Sequence, residues 1–410
     1  MSAIATLGKR LPRLSSVHVE NVRVMLRTDF AGPWSQDLNS SKQLESPSAS
    51  RFDAALPTLR NLIHRGARII LATGVEGTSA PESCISLAEK LAHSLQHEIR
   101  FPDELIGDGV SKLVNDTRAG QIVMLENLYF DGREKNNDPE FARYLANLCD
   151  VYVNDSLSIC EHPFASTVGV PRKIGSRAMG LRLEHEVEGL LQICEAPSRP
   201  LTVMAGGPVC EAILSALQKQ VEQMRAGDCV IMYGDLGDTA LYIWKQHDDS
   251  TRIRRECVQN CKLLISKIQA RNIQLVVCAS ASANDRNNDR SMQNTQHSVV
   301  ELTHGVGDIP EFQDTIGWEH AFDRIPRSTT VLWLDNNIPE SNHLPSGLQE
   351  QLVQQLTKFA QNIATWGSFA IHAMHTFAPQ FAPCWQSMGD NATLRALADQ
   401  PLPGLEALQQ

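Results

Sequence analysis

Short, almost uninterrupted apolar runs alternate with helix-patterned stretches along this whole chain, and that alternation restricts the fold more than any other feature. Residues 22–29, 67–73, 121–125, 150–154, 201–205, 229–233, 273–279 and 330–334 read as strands. Between them, stretches such as 51–65, 86–95 and 139–148 carry apolar residues at helical spacing. A strand covered on both faces is apolar at nearly every position, because neither face meets water. Such strands interleaved with helices predict α/β architecture, with parallel sheets sandwiched between helices. At 410 residues the chain is long for one hydrophobic core, so two domains are expected.

Charge narrows the ligands. A net charge of −10 leaves no surplus of Lys and Arg for a phosphate backbone, which argues against nucleic-acid binding. An anion could be held only where basic residues are gathered in one place. The ten cysteines are scattered without a CxxC pair. Cys257 and Cys261 stand four apart with no second ligand pair beside them, so no metal site is expected. Reduced thiols fit a cytoplasmic protein. No apolar run approaches the ~20 residues needed to span a bilayer, so no membrane association is expected. Residues 1–19 hold Lys9, Arg10 and Arg13 and no acid, a faint transit-peptide pattern cut short by the first strand.

Several strands end in polar clusters: VMLRTDF (24–30), IVMLENLYF (122–130) and DVYVNDS (150–156), and the chain closes on LPGLEAL (402–408). In this combination and order the motifs resemble the phosphoglycerate kinase family, from about Val17 to the C-terminus. The resemblance implies two doubly wound, Rossmann-like parallel-sheet domains. Residues 1–180 would form the 3-phosphoglycerate side and 198–395 the nucleotide side. Residues 181–197 would form a linker helix, and 396–410 a tail returning to the first domain. Helical spacing of the apolar residues in LRLEHEVEGLLQICEA (181–196) agrees with the linker. Residues 283–298 are nearly devoid of apolar side chains and read as an exposed loop.

The same resemblance assigns site residues. Arg27, Asp29, Arg51, Asn127 and His162 fall on the substrate side, with Arg51, opening the helix RFDAALPTL, as the catalytic arginine that reaches toward the transferring phosphoryl group. Gly206, Gly234, Gly237, Glu340 and Thr376 fall on the nucleotide side, where the family implies Mg-ATP or ADP. Phosphoryl transfer rests on positioning and on cations aimed at phosphate oxygens, and here most of those cations are replaced. Thr73-Gly74-Val75-Glu76-Gly77 stands for Ser-His-Leu-Gly-Arg, Ala31 for an Asn, and Tyr129 and His162 for arginines. An imidazole does not reproduce a bidentate guanidinium. Gly206-Gly207-Pro208-Val209-Cys210-Glu211-Ala212 lacks both lysines of the family signature, and Asp235 puts an acid in the nucleotide turn. His372-Ala373-Met374-His375-Thr376 aligns with Gly-Gly-Gly-Asp-Thr, and its two histidines read as lining a strand end and its turn rather than as metal ligands.

Removing one donor aimed at developing charge costs about 10²–10³ in rate. The sequence therefore predicts a family member, monomeric, whose ATP:3-phosphoglycerate phosphotransferase activity is lost or strongly reduced. Its remaining role would be to bind a small anion or a protein partner. One alternative is a working divergent kinase of glycolysis that recruits Arg118, Arg133, Lys135 or Arg172. Another is a different activity on a smaller acid, in the cleft between the domains, built on Asp29, Arg51 and His162.

Overall fold

A computed structural model of the protein describes residues 8–30, 47–76, 80–195, 197–244, 255–280, 297–302, 330–335, 346–381 and 383–409. The chain forms two compact units, Met1–Glu188 with Pro401–Gln410, and Gly189–Gln400.

Unit 1 holds a sheet of strands β1 (Arg23–Arg27), β2 (Arg68–Ala72), β3 (Ile99–Arg100), β4 (Ile122–Met124), β5 (Val151–Asn154) and β6 (Ser176–Met179) in the order β3-β4-β2-β1-β5-β6. Every pairing is parallel. Val24, Leu26, Ile69, Leu71, Ile122, Met124, Val151 and Val153 form one face. Against it the helix Pro47–His64 buries Phe52, Ala55, Leu59 and Leu62, spaced three or four apart as a helix requires. The helix Pro139–Asn147 starts where Asp138 accepts hydrogen bonds from Glu140 N and Phe141 N, with Pro139 supplying a ready-made φ at the first position. The C-terminal helix Pro403–Glu406 also belongs to this unit. Gly404 lies so close to Cys160 that an added Cβ would come within 2.8 Å of its Cα.

Unit 2 holds β7 (Leu201–Gly206), β8 (Cys229–Tyr233), β9 (Gln274–Ser280), β10 (His297–Leu302), β11 (Thr330–Asp335), β12 (Asn362–Trp366) and β13 (Trp385–Ser387), in the order β10-β9-β8-β7-β11-β12-β13. All pairings are parallel except β9 with β10. The single antiparallel pairing lies at one edge of an otherwise parallel sheet. His297 and Ser298, expected in an exposed loop, begin β10, while residues 283–296 of that stretch lie outside the described residues. An edge strand pairs on one side only and needs no continuous apolar run, which is why β10 carried no strand signal. The short edge strands β3, β6 and β13 escaped notice for a similar reason, and the interior strand β12 was missed as well. The helix Pro47–His64 also begins a full turn before Arg51, which was expected to open it.

Gly367 follows β12 at φ +95°, and a Cβ there would meet the backbone oxygen of Asp335 at 1.8 Å. Neither the dihedral nor a backbone atom can yield cheaply. Gly367→Ala is expected to cost more than about 2 kcal/mol in urea unfolding; a change within about 0.5 kcal/mol would contradict this packing.

Candidate functional site

Open α/β sheets bind ligands beyond the carboxyl ends of their strands, where the chain order reverses direction. In unit 1 that point lies between β1 and β5, whose last residues Arg27 and Asn154 are in register. In unit 2 it lies between β7 and β11, where Gly206 pairs with Asp335.

At the unit 1 point, Asp29 follows β1 and Arg51 reaches it from the covering helix. Arg51 Nη1 donates to Asp29 Oδ2 at 2.5 Å, and Ser158 Oγ donates to the same oxygen at 2.6 Å. The Asp29 carbonyl accepts from Arg182 Nη1 at 3.0 Å. The fold thus joins Asp29 and Arg51 and adds Ser158 and Arg182, which the sequence reading missed; only the register of β1 and β5 could have revealed them.

Arg27 is a different case. It is fully buried: Nε donates to Ser166 Oγ at 2.8 Å and Nη1 to the Thr28 carbonyl at 2.5 Å. Ser166 in turn donates to the buried Glu134. Burial pushes the Glu134 carboxyl up, opposed by the nearby Arg27 charge. Arg27 is thus fully buried, with Nε and Nη1 engaged internally and Nη2 without a hydrogen-bond partner among the described residues.

Asn127 is buried as well. Its Oδ1 accepts from Val75 N (3.0 Å) and Tyr129 N (2.9 Å), and its Nδ2 donates to Val75 O (2.7 Å) and Glu82 O (2.6 Å). Four hydrogen bonds exhaust a carboxamide, so Asn127 staples the turns after β2 and β4 together.

His162 is exposed, at 49% of its side chain, with Nε2 3.5 Å from Glu161 Oε1 and its ring stacked on Phe164 at 4.8 Å. Phe164 meets Tyr129 edge-on at 5.9 Å. Tyr129 lies directly over Gly74, where a Cβ would be 2.3 Å from its ring. An aromatic array therefore stands at this edge, with Lys135 Nζ 4.7 Å from the Tyr129 ring centre and bonded to Glu76 at 2.5 Å.

At the unit 2 point the chain fills its own crevice. Tyr233, the last residue of β8, is buried; its hydroxyl donates to Asp335 Oδ2 at 2.6 Å and accepts from Trp333 Nε1 at 2.8 Å. Its ring rests on Gly206, where a Cβ would lie 2.2 Å away. Gly206 is required by that ring, and Gly237 by the close approach of its helix to the Cys278 carbonyl, 2.4 Å from a built Cβ. Gly234 takes φ +60° at the start of the helix Gly234–Trp244. Asp235 in that first turn is raised by burial and by Asp238.

Thr376 is exposed near the end of the helix Ser368–Phe377, 3.4 Å from His372 Nε2. His372 and His375 are thus helical, not at a strand end; the turn after β12 is formed by Gly367. Glu340, together with Ala31, Gly77, Asn336, Asn337 and Ile338, lies outside the described residues.

A pocket of ≈ 660 Å³ is lined by Val209, Cys210, Glu211, Glu256, Cys257, Gln259 and Asn260, at the first turns of the helices Glu211–Gln223 and Arg255–Ala270. Among the described residues no Lys or Arg lines it, and none occurs in the described strand-end turns 206–212, 233–239, 366–370 and 387–393. The described residues of unit 2 therefore fit Mg-ATP poorly, because two carboxylates and a filled crevice stand where polyphosphate would need cations. Among the described residues no three His, Cys, Asp or Glu could hold a metal ion, the cysteines are free, and no helix is long and apolar enough to cross a membrane.

The family model for phosphoglycerate kinase matches residues 14–335. A phosphoglycerate kinase of Salinibacter ruber (strain DSM 13855 / M31) is 28% identical over 413 residues, 96% of this chain and 98% of that protein. One from Anaeromyxobacter sp. (strain Fw109-5) is 29% identical over 273 residues, 65% of this chain and 67% of that protein. Among solved structures, phosphoglycerate kinase from Pyrococcus horikoshii OT3 aligns at TM-score 0.74 and 19% identity, over 97% of this chain and 98% of that one. The Coxiella burnetii structure aligns at 0.73 and 21%, with the same coverage. At these identities the structures speak for the fold alone.

Proposed function

The chain belongs to the phosphoglycerate kinase family, and from that premise we propose that it is a member with lost or strongly reduced phosphotransferase activity that now serves a binding or regulatory role. The observation that carries this reading is the shortage of available cations among the described residues at the carboxyl edges of both sheets. Arg51 has its guanidinium on Asp29, and the described strand-end turns of unit 2 hold no Lys or Arg. Non-additivity softens the loss of several charged groups but does not restore charge to a triphosphate. The ligand is a small anion or a protein partner, and a cytoplasmic location agrees with the free thiols.

Lys135 favours the second reading, a working kinase. Of the basic residues considered as replacements, Arg118 precedes β4 and Arg172 precedes β6, so both stand toward the amino ends of parallel strands. Arg133 is paired with Asp131 at 2.7 Å. Lys135 alone of the four is bonded to a residue, Glu76, just past a carboxyl end.

A coupled assay with ATP and 3-phosphoglycerate, run beside Arg51→Ala, separates the readings. No turnover above the variant is expected. Turnover that vanishes with Arg51 would overturn the proposal and establish that Lys135 or other residues rebuild the site.

A further inference from the structure

A chain of net charge −10 can hold a negative partner only where its basic side chains are gathered. At the carboxyl edge of the unit 1 sheet Arg51, Arg133 and Lys135 are bonded to Asp29, Asp131 and Glu76. The amino edge is different. The starts of β1 to β6 and the turns leading into them carry Arg23, Arg65, Arg68, Arg118, Arg172, Lys173 and Arg177, against Glu20, Glu98, Asp116 and Asp150. Among the described residues only Arg23 of these seven is in an ion pair, with Asp150 at 2.7 Å. Arg65, Arg68 and Arg177 are half-buried and hold neutral carbonyl oxygens instead. Arg65 donates to Leu14 O at 2.9 Å and Val17 O at 2.5 Å, and Arg68 to Asn115 O at 2.9 Å. Arg177 donates to Pro171 O at 2.9 Å and Ile174 O at 2.8 Å. A carbonyl fixes a guanidinium without cancelling its charge, so these three are positive charges ordered in advance. Arg118, Arg172 and Lys173 are exposed on the same edge.

We infer that the amino edge of the unit 1 sheet is an interaction surface for an acidic, extended segment of a partner protein, whose carboxylates pair with Arg118, Arg172 and Lys173. From β4 to β6 the edge runs four strand spacings, about 19 Å, which about six residues of extended chain would cross. Carboxylates match guanidinium forks, and a short segment meets this edge without meeting the rest of an acidic molecule. A nucleic acid or an anionic membrane spreads negative charge over a larger area, which the net charge of −10 opposes. The inference goes beyond the proposed function and uses no residue of the carboxyl-edge site.

The test is fluorescence anisotropy of a fluorescein-labelled octaglutamate peptide titrated with the full chain, at low salt and at about 0.15 M salt. Binding that weakens as salt rises is expected. Arg118→Ala with Arg172→Ala and Lys173→Ala should raise the dissociation constant by about tenfold or more. Lys262→Ala with Lys358→Ala, on exposed helix positions of unit 2, should leave it within about twofold. No binding at low salt, or a triple variant within about twofold of the unmodified chain, would overturn the inference. An equal loss in the unit 2 variant would trace binding to total charge and overturn it too. Tighter binding of an oligouridylate or of phosphatidylserine vesicles than of octaglutamate would also overturn it. If the triple variant does not fold, Arg172→Glu with Lys173→Glu decides by the same criterion. Turnover in the coupled assay would overturn the proposed loss of activity and leave this surface as inferred.

Discussion

Truncating Tyr233 to Ala is expected to lower the unfolding free energy of unit 2 by about 4 kcal/mol, the range seen when a large buried aromatic is deleted. The ring is buried at the carboxyl end of β8, seated on Gly206, and its hydroxyl sits between Trp333 Nε1 and Asp335 Oδ2. Removing it opens a cavity and orphans two buried polar groups. Tyr233→Phe separates these effects: it keeps the packing and deletes the hydroxyl, for about 1–3 kcal/mol. Urea unfolding followed by tryptophan fluorescence reads both variants. A cost below about 1 kcal/mol for Tyr233→Ala would mean that the crevice collapses and that the ring is not tightly packed there.

The second large effect is on pH dependence. Asp155 and Asp335 are fully buried, and burial pushes each carboxyl up to about 7, against hydrogen bonds from Thr58 and Tyr233 respectively. Asp155 Oδ2 and Asp335 Oδ1 have no hydrogen-bond partner among the described residues. In the unfolded chain a carboxyl titrates near 3.8, so between that value and 7 the native state holds a proton that the unfolded state has released. The stabilisation is complete below about pH 4, falls as pH rises toward 7, and is then flat. About three pH units at 1.4 kcal/mol each set a ceiling near 4 kcal/mol per group. Asp155→Asn should flatten the slope for unit 1 and Asp335→Asn for unit 2, read as urea midpoints from pH 5 to 8. Wild-type slopes that persist in both variants would mean that these carboxyls are ionised in the folded protein.

Some of this was legible beforehand. The strands β1, β2, β4, β5, β7, β8, β9 and β11 could be read from the sequence because burial on both faces leaves an apolar run as its trace. The loss of cations was equally plain, since a Tyr or Glu in place of a basic residue needs no coordinates to be noticed. The roles of particular polar residues were not legible. Asn127 is spent on internal hydrogen bonds and Arg27 is buried, and their identity alone does not say whether a carboxamide or guanidinium faces a ligand or the core. His372 and His375 were misplaced because a strand-end turn and a helix interior can carry the same residues.

The amino-acid sequence by itself determined the α/β class, through the spacing of its apolar residues, and the family and the depletion of charge at the expected site, through the resemblance of its strand-end motifs to those of phosphoglycerate kinases. Only the tertiary structure decided which charges neutralise one another. Arg51 and Ser158 meet the same Asp29 oxygen from 22 and 129 residues away, and Tyr233 meets Asp335 across 102. Such encounters are set by strand order and register at the point where each sheet reverses direction, and no local pattern encodes them.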